Sequence, residues 1–245
     1  MLQWEDIYYY EKMPNLDFSG EINSNSILIK GPKHILIDPG TAKGWGELKE
    51  AIVADGLDPM DIGVVFCTHS HPDHAEAAVM VAKQVKADLL MSLAELDFFV
   101  MGGARFYYLN SDGTFLSMQG NMPVYDVPDT RLFIKGFPGP FIYEGRQFKL
   151  YLTPGHTPGG MCFHWPERGF LAVGDVYFKG TIGSIALYGS QPSQMYKSVT
   201  LLNGLLDVEK VICGHGPIIE GREKVVKNYE ILFAEIADKK AKGIV

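Results

Sequence analysis

Residues 66–77 read FCTHSHPDHAEA. The chain has seven histidines, and three of them, His69, His71 and His74, fall within six residues here, with Asp73 between them. Neutral imidazole and carboxylate are ligands of zinc and of non-haem iron or manganese. In an extended segment residues i and i+2 point the same way, so His69 and His71 can grip one ion. Asp73 and His74 follow Pro72, where the chain turns toward a helix. They face another direction and suit a second ion nearby.

Three further metal-capable side chains follow apolar runs: His156 after LYLT, Asp175 after FLAVG and His215 after VICG. Ligands in α/β sheets gather where strand ends and loops converge. Two ions need roughly six to eight protein ligand atoms. The seven candidates therefore fit two ions that share one bridging carboxylate. His34 and His164 lie outside this pattern and read as ordinary hydrogen-bonded residues. The glycines of TPGHTPGG let backbone approach an ion closely.

These residues need elements to position them. SILIK (residues 26–30) and HILID (34–38), joined by GPK, read as a β-hairpin. TAKGWGELKEAIVADG has helical spacing, with Trp45, Leu48, Ile52 and Val53 as its stripe. DIGVVFCTH is a nearly all-apolar strand, of the kind buried on both faces. AEAAVMVAKQVKAD (75–88) reads as a helix and ADLLMS as a short strand. After residue 130 the rhythm resumes: RQFKLYLTPGH is a strand into a loop, and MCFHWPERGFLAVGD is a hairpin ending at Asp175. QPSQMYKSVTLLNGLLDV (191–208) is a helix, KVICGHG a strand into a loop, and EGREKVVKNYEILFAEIADKKAKG a closing helix. This alternation predicts an α/β layered fold, read as a single domain over 1–245. Residues 94–130 break the rhythm. Phe98, Phe99, Phe106, Tyr107, Tyr108 and Phe115 there could form an apolar substrate wall or lid, or a homodimer contact.

The chain carries a net charge of −7 and no basic stripe, which argues against nucleic acid as a partner. No apolar run approaches the ~18 residues of a membrane span. The N-terminus lacks the basic n-region of a secretory signal. Cys67, Cys162 and Cys213 form no C-x-x-C pair and sit in apolar runs, as buried thiols of a reduced compartment do. A cytoplasmic protein acting on a small molecule is the expectation.

THSHPDH resembles the His-x-His-x-Asp-His signature of the metallo-β-lactamase fold superfamily. The resemblance continues in order through LIDPG, TPGHTPGG, AVGD and CGHG, over roughly residues 20–230. It implies an αββα four-layer sandwich with metals at one edge of the sheets. His69, His71 and His156 would hold one metal, Asp73, His74 and His215 the other, and Asp175 would bridge them. Asp38 matches a position that supports a ligand from behind. The metals implied are two divalent ions, zinc first, with iron or manganese as alternatives. Two such ions lower the pKa of a bound water to about 7. The resulting hydroxide attacks an ester, thioester, lactone or amide carbonyl, and Asp73 accepts or orients a proton.

Within the superfamily the pattern most resembles the glyoxalase II-like hydrolases. Zinc β-lactamases of the best-known type carry Cys where this chain has Asp175. Flavin-linked diiron reductases usually place Glu where His71 stands. The basic residues with which glyoxalase II grips glutathione are not evident in PIIEGREK after CGHG. A competing class is the mononuclear iron persulfide dioxygenase, whose iron would fall to His69, His156 and Asp175. A non-catalytic binding protein is a third.

Overall fold

The computed structural model describes residues 2–11, 23–95 and 139–244. The aromatic stretch proposed as a wall or dimer contact lies almost wholly in 96–138, outside the described residues. Contacts divide the chain into two compact units, one built chiefly from residues 1–105 and the other chiefly from 137–245.

The first unit is organised on a six-stranded sheet in the order β1-β2-β3-β4-β5-β6. Its strands are β1 (Leu2–Trp4), β2 (Ile7–Tyr10), β3 (Ser26–Ile29), β4 (His34–Ile37), β5 (Ile62–Phe66) and β6 (Asp88–Leu90). The expected hairpin is β3–β4, paired antiparallel. β4, β5 and β6 run parallel, so their C-terminal ends share one edge. Helix α1 (Trp45–Ala54), short α2 (Pro72–Ala75) and α3 (Ala78–Val85) follow the strands. Leu28, Leu36 and Val65 pack in one apolar cluster with Trp45, Leu48 and Ile52 of α1 and Val81, Ala82 and Val85 of α3. Each fully buried Leu, Ile or Val among them stabilises the fold by about 1.5–3 kcal/mol. Val53, assigned to the buried stripe from sequence, is instead 57% exposed.

The helix expected over 75–88 is shorter, running as α3 over Ala78–Val85, with Ala75 closing α2 before a break. Backbone hydrogen bonds explain the break. The carbonyls of Asp73 and His74 accept from Ser24 N (3.0 Å) and Gly40 N (3.0 Å), and Ala77 N donates to Gly40 O (2.9 Å). Those groups cannot serve an unbroken i to i−4 ladder. Lys86 then ends α3 in a left-handed conformation at φ 59°.

The second unit has a six-stranded sheet in the order β14-β13-β10-β9-β8-β7. Its strands are β7 (Gly139–Tyr143), β8 (Arg146–Leu152), β9 (Met161–Trp165), β10 (Phe170–Gly174), β13 (Lys210–Cys213) and β14 (Ile219–Glu220). β11 (Tyr177–Phe178) and β12 (Thr181–Ile182) form a separate ribbon. β8 and β10 are each antiparallel to β9, and β13 is parallel to β10. The C-terminal ends of β8, β10 and β13 therefore share one edge. Helices α4 (Pro192–Asn203) and α5 (Arg222–Ala241) cover one face. Met195, Val199 and Leu202 of α4 and Val225, Tyr229, Leu232 and Ile236 of α5 pack with Leu171, Val173 and Val211 of the sheet. All three cysteines are buried free thiols, and burial pushes the Cys67 and Cys213 thiols up. No described helix is long and apolar enough to cross a membrane.

Candidate metal centre

In the first unit the chemistry gathers where β4, β5 and β6 end. β5 stops at Phe66, and Thr68, His69, Ser70 and His71 follow in sequence order, all buried. Pro72 then opens α2, with His71 just outside it. Proline suits this first helical position because its missing N–H would have had no helical partner. The turn carries Asp73 and His74 into α2, yet the His74 ring lies against that of His69, with centroids 4.1 Å apart, rather than facing away as the spacing predicts.

Asp38, just past β4, fixes this loop from behind. Its carboxylate accepts from Thr68 N (2.7 Å) and Thr68 Oγ1 (2.7 Å) and contacts His74 Nδ1 at 2.8 Å. A carboxylate can only accept, so His74 carries its proton on Nδ1 and presents Nε2 as a lone pair. Thr68 spends its hydroxyl proton on Asp38, and its oxygen stands 3.1 Å from His69 Nδ1. His69 is thereby also protonated on Nδ1. Its Nε2 lone pair stands 2.9 Å from His71 Nδ1. A proton or a cation must lie between two such nitrogens. Asp38 holds a left-handed φ of 50°, an uncommon conformation for a residue before proline. Strain of this kind persists where surrounding contacts over-determine it.

In the second unit three strand ends contribute. His156 follows β8 in a loop closed by Thr153 N to Gly160 O (2.7 Å). Gly155 before it has φ 150°, and a Cβ there would stand 2.7 Å from Met195 Cα of α4. Only glycine allows that approach. His156 Nδ1 donates to Ser184 O at 2.7 Å, so its Nε2 is also a lone pair. Asp175 follows β10, and His215 follows β13. The Nε2 atoms of His156 and His215 each stand 3.6 Å from Asp175 Oδ2. The His215 ring meets Phe178 edge-on at 5.8 Å. A Cβ on Gly183 would sit 1.7 Å from the Asp175 carbonyl oxygen, so that strand end also needs glycine.

The donor set fits metal ions on its own chemistry. Two donors on one ion, each about 2.0–2.1 Å from it, stand roughly 2.9–3.6 Å apart between right-angled and trigonal arrangements. The 2.9 Å and 3.6 Å separations above lie at the ends of that range, and 3.6 Å is too long for a direct hydrogen bond. Asp73 Oδ2 and His74 Nε2 are 3.7 Å apart, marginally wider. All seven residues singled out from sequence stand at the sheet edges expected of them, four in the first unit and three in the second. His34 and His164 do not join them. His34 accepts from Gly31 N, and buried His164 lies 3.1 Å from Asp207 Oδ2. Glu95 was missed by sequence reasoning. It is fully buried beyond β6 and accepts from Ser70 N (2.9 Å) and Ser70 Oγ (2.5 Å).

The sequence profile of the metallo-beta-lactamase superfamily matches residues 19–215. This chain belongs to the metallo-beta-lactamase superfamily. Its mixed sheets and helices are those of the metallo-beta-lactamase fold, and its His/Asp set is a divalent-metal set. A probable metallo-hydrolase of Methanocaldococcus jannaschii is 27% identical over 217 residues, covering 86% of this chain and 95% of the relative. A hydroxyacylglutathione hydrolase of Maricaulis maris is 37% identical, but over 67 residues, 27% of this chain and 25% of its own. Among solved structures, TTHA1623 in a di-iron-bound form superposes with a TM-score of 0.63 at 24% identity, covering 83% of this chain and 91% of that one.

Proposed function

We propose that this superfamily member is a binuclear metal-dependent hydrolase of a small ester, thioester or lactone. His69, His71 and His156 would hold one ion, Asp73, His74 and His215 the second, and Asp175 both. The observation that carries this reading is the tautomer control in each unit. Asp38 behind His74, Thr68 behind His69 and the Ser184 carbonyl behind His156 each leave Nε2 as the donor. Two bound divalent ions would supply a hydroxide at neutral pH and polarise the carbonyl under attack.

The chain's own residues do the rest. Asp73 is partly exposed, with 17% of its side chain accessible, and can take up and pass on a proton while the buried ligands cannot. Asp38 and Ser184 keep the imidazoles from rotating or changing tautomer as charge develops. Phe178 offers an apolar surface beside His215. A protein nucleophile is not required. The Ser70 hydroxyl is committed to Glu95.

Binuclear use gives all seven ligands a task. A mononuclear iron oxygenase would use only His69, His156 and Asp175. The test is turnover of a thioester and lactone panel by zinc-loaded and manganese-loaded protein. Hydrolysis that disappears in Asp175→Asn supports the proposal. Oxygen uptake on glutathione persulfide by iron-loaded protein, without hydrolysis of the panel, would replace it.

A further inference from the structure

The segment Thr68–His71 alternates. His69 and His71 turn their rings to each other, with Nε2 and Nδ1 2.9 Å apart. The residues between and before them, Ser70 and Thr68, are each held by a buried carboxylate. Asp38 takes Thr68 through its N–H and its hydroxyl, and Glu95 takes Ser70 through the same two groups. Asp38 comes from the end of β4 and Glu95 from beyond the end of β6, the two neighbours of β5. The segment is thus pinned at alternate residues from both flanking strands. Glu95 has no exposed surface, and a buried carboxylate is retained only where hydrogen bonds or charge offset its desolvation.

We infer that Glu95, acting through Ser70, is a positioning residue for the His69–His71 ligand pair. Both bonds from Ser70 end on one carboxylate oxygen, Oε2. Ser70 N lies in the peptide that follows His69, and the Ser70 carbonyl carbon lies in the peptide that precedes His71. Fixing Ser70 therefore sets where both imidazoles begin. Rotation about the 68–71 backbone, which would spread the two nitrogens, is opposed at its centre. Removing such support behind metal ligands typically lowers metal affinity by about 10–100-fold. This inference rests on the reading of His69 and His71 as metal ligands.

The test uses the full chain with Ser70→Ala, Glu95→Gln and Glu95→Ala, and the double variant S70A/E95A. Zinc affinity is measured by competition with a chromophoric chelator. Cobalt(II)-loaded protein is followed by its visible ligand-field bands, and folding by circular dichroism. Folded E95A is expected to bind zinc about 10–100-fold more weakly and to show altered cobalt bands, and S70A, which keeps the backbone N–H bond to Glu95, to change in the same direction by less. E95Q keeps a carbonyl acceptor for Ser70 and is expected to recover most of the affinity. The double variant is expected to be no weaker than E95A, because E95A already removes both bonds and S70A only the one from the hydroxyl. If E95A does not fold, S70A and E95Q decide the question. Wild-type affinity and unchanged cobalt bands in folded E95A overturn the role of Glu95, and the same result in S70A overturns its route through the Ser70 hydroxyl; either leaves the metal centre standing. A wild-type protein that takes up no metal overturns both.

Discussion

Asp38→Asn separates metal positioning from folding. The carboxylate serves three partners: Oδ1 accepts from Thr68 N, and Oδ2 accepts from Thr68 Oγ1 and His74 Nδ1, all within 2.8 Å. An asparagine with its carbonyl toward Thr68 N keeps the first bond. Its amide then faces the Thr68 hydroxyl, which can rotate to accept. It also faces His74 Nδ1, which can accept only by moving its proton to Nε2. That tautomer has no lone pair where the ligand needs one. The substitution thus keeps the loop's shape and removes a donor. The expected loss is about 10–100-fold in metal affinity, or roughly 1.4–2.8 kcal/mol. Loss of the charge-assisted bond lowers the stability of metal-free protein by about 1.5–3 kcal/mol. Asp38→Ala strands all three partners and is expected to cost about 3–5 kcal/mol. Chelator competition gives the first quantity and urea unfolding without metal gives the others. A folded D38N protein that binds two metals with wild-type affinity would refute the tautomer argument.

Other perturbations have defined outcomes. Tyr177 and Tyr229 share a buried hydroxyl–hydroxyl bond of 2.9 Å. Tyr177→Phe is expected to destabilise by about 1–3 kcal/mol in urea unfolding, and the double Phe variant by less than the two single losses combined. Gly183→Ala drives a Cβ into the Asp175 carbonyl and is expected to cost at least about 1–3 kcal/mol with reduced metal uptake; unchanged thermal unfolding and metal content would count against the strand-end geometry described here. Burial pushes the His164 pKa below its ordinary value, against the opposing pull of Asp207. The unfolded chain therefore binds this proton first, near pH 6.5. The stability is present above that pH and is lost as pH falls through the lowered folded value. Wild type is expected to lose more stability than His164→Gln between pH 7.5 and pH 5.5, and equal losses would contradict the burial argument.

Much of the centre was legible because it is local. The i, i+2 spacing of His69 and His71 and the proline before Asp73 encode the pair and the turn after it without help from the rest of the chain. His156, Asp175 and His215 each follow an apolar run, and strand polarity brings those three to one edge of one sheet. Glu95 was not legible. It belongs to the stretch 94–130 in which the strand and helix rhythm breaks, and its partner Ser70 is 25 residues away. A buried glutamate and an exposed one have the same sequence signature. Val53 was misplaced because it follows Ile52 in sequence, whereas a step of about 100° per residue turns it away from the Trp45, Leu48 and Ile52 stripe. The break between α2 and α3 arises from bonds to Ser24 and Gly40, remote groups that local periodicity does not register. β1, β11, β12 and β14, of two or three residues each, carry too few for a pattern, and pairing alone defines them.

The central claim is that this chain holds two divalent ions. Its most direct test is elemental analysis of protein purified without chelator and expressed per chain, beside Asp175→Asn and His74→Ala treated identically. The account predicts about two ions per wild-type chain, zinc or a comparable divalent metal, and fewer in both variants. A single iron per chain that is unchanged in His74→Ala, or no stoichiometric metal after reloading, would contradict it.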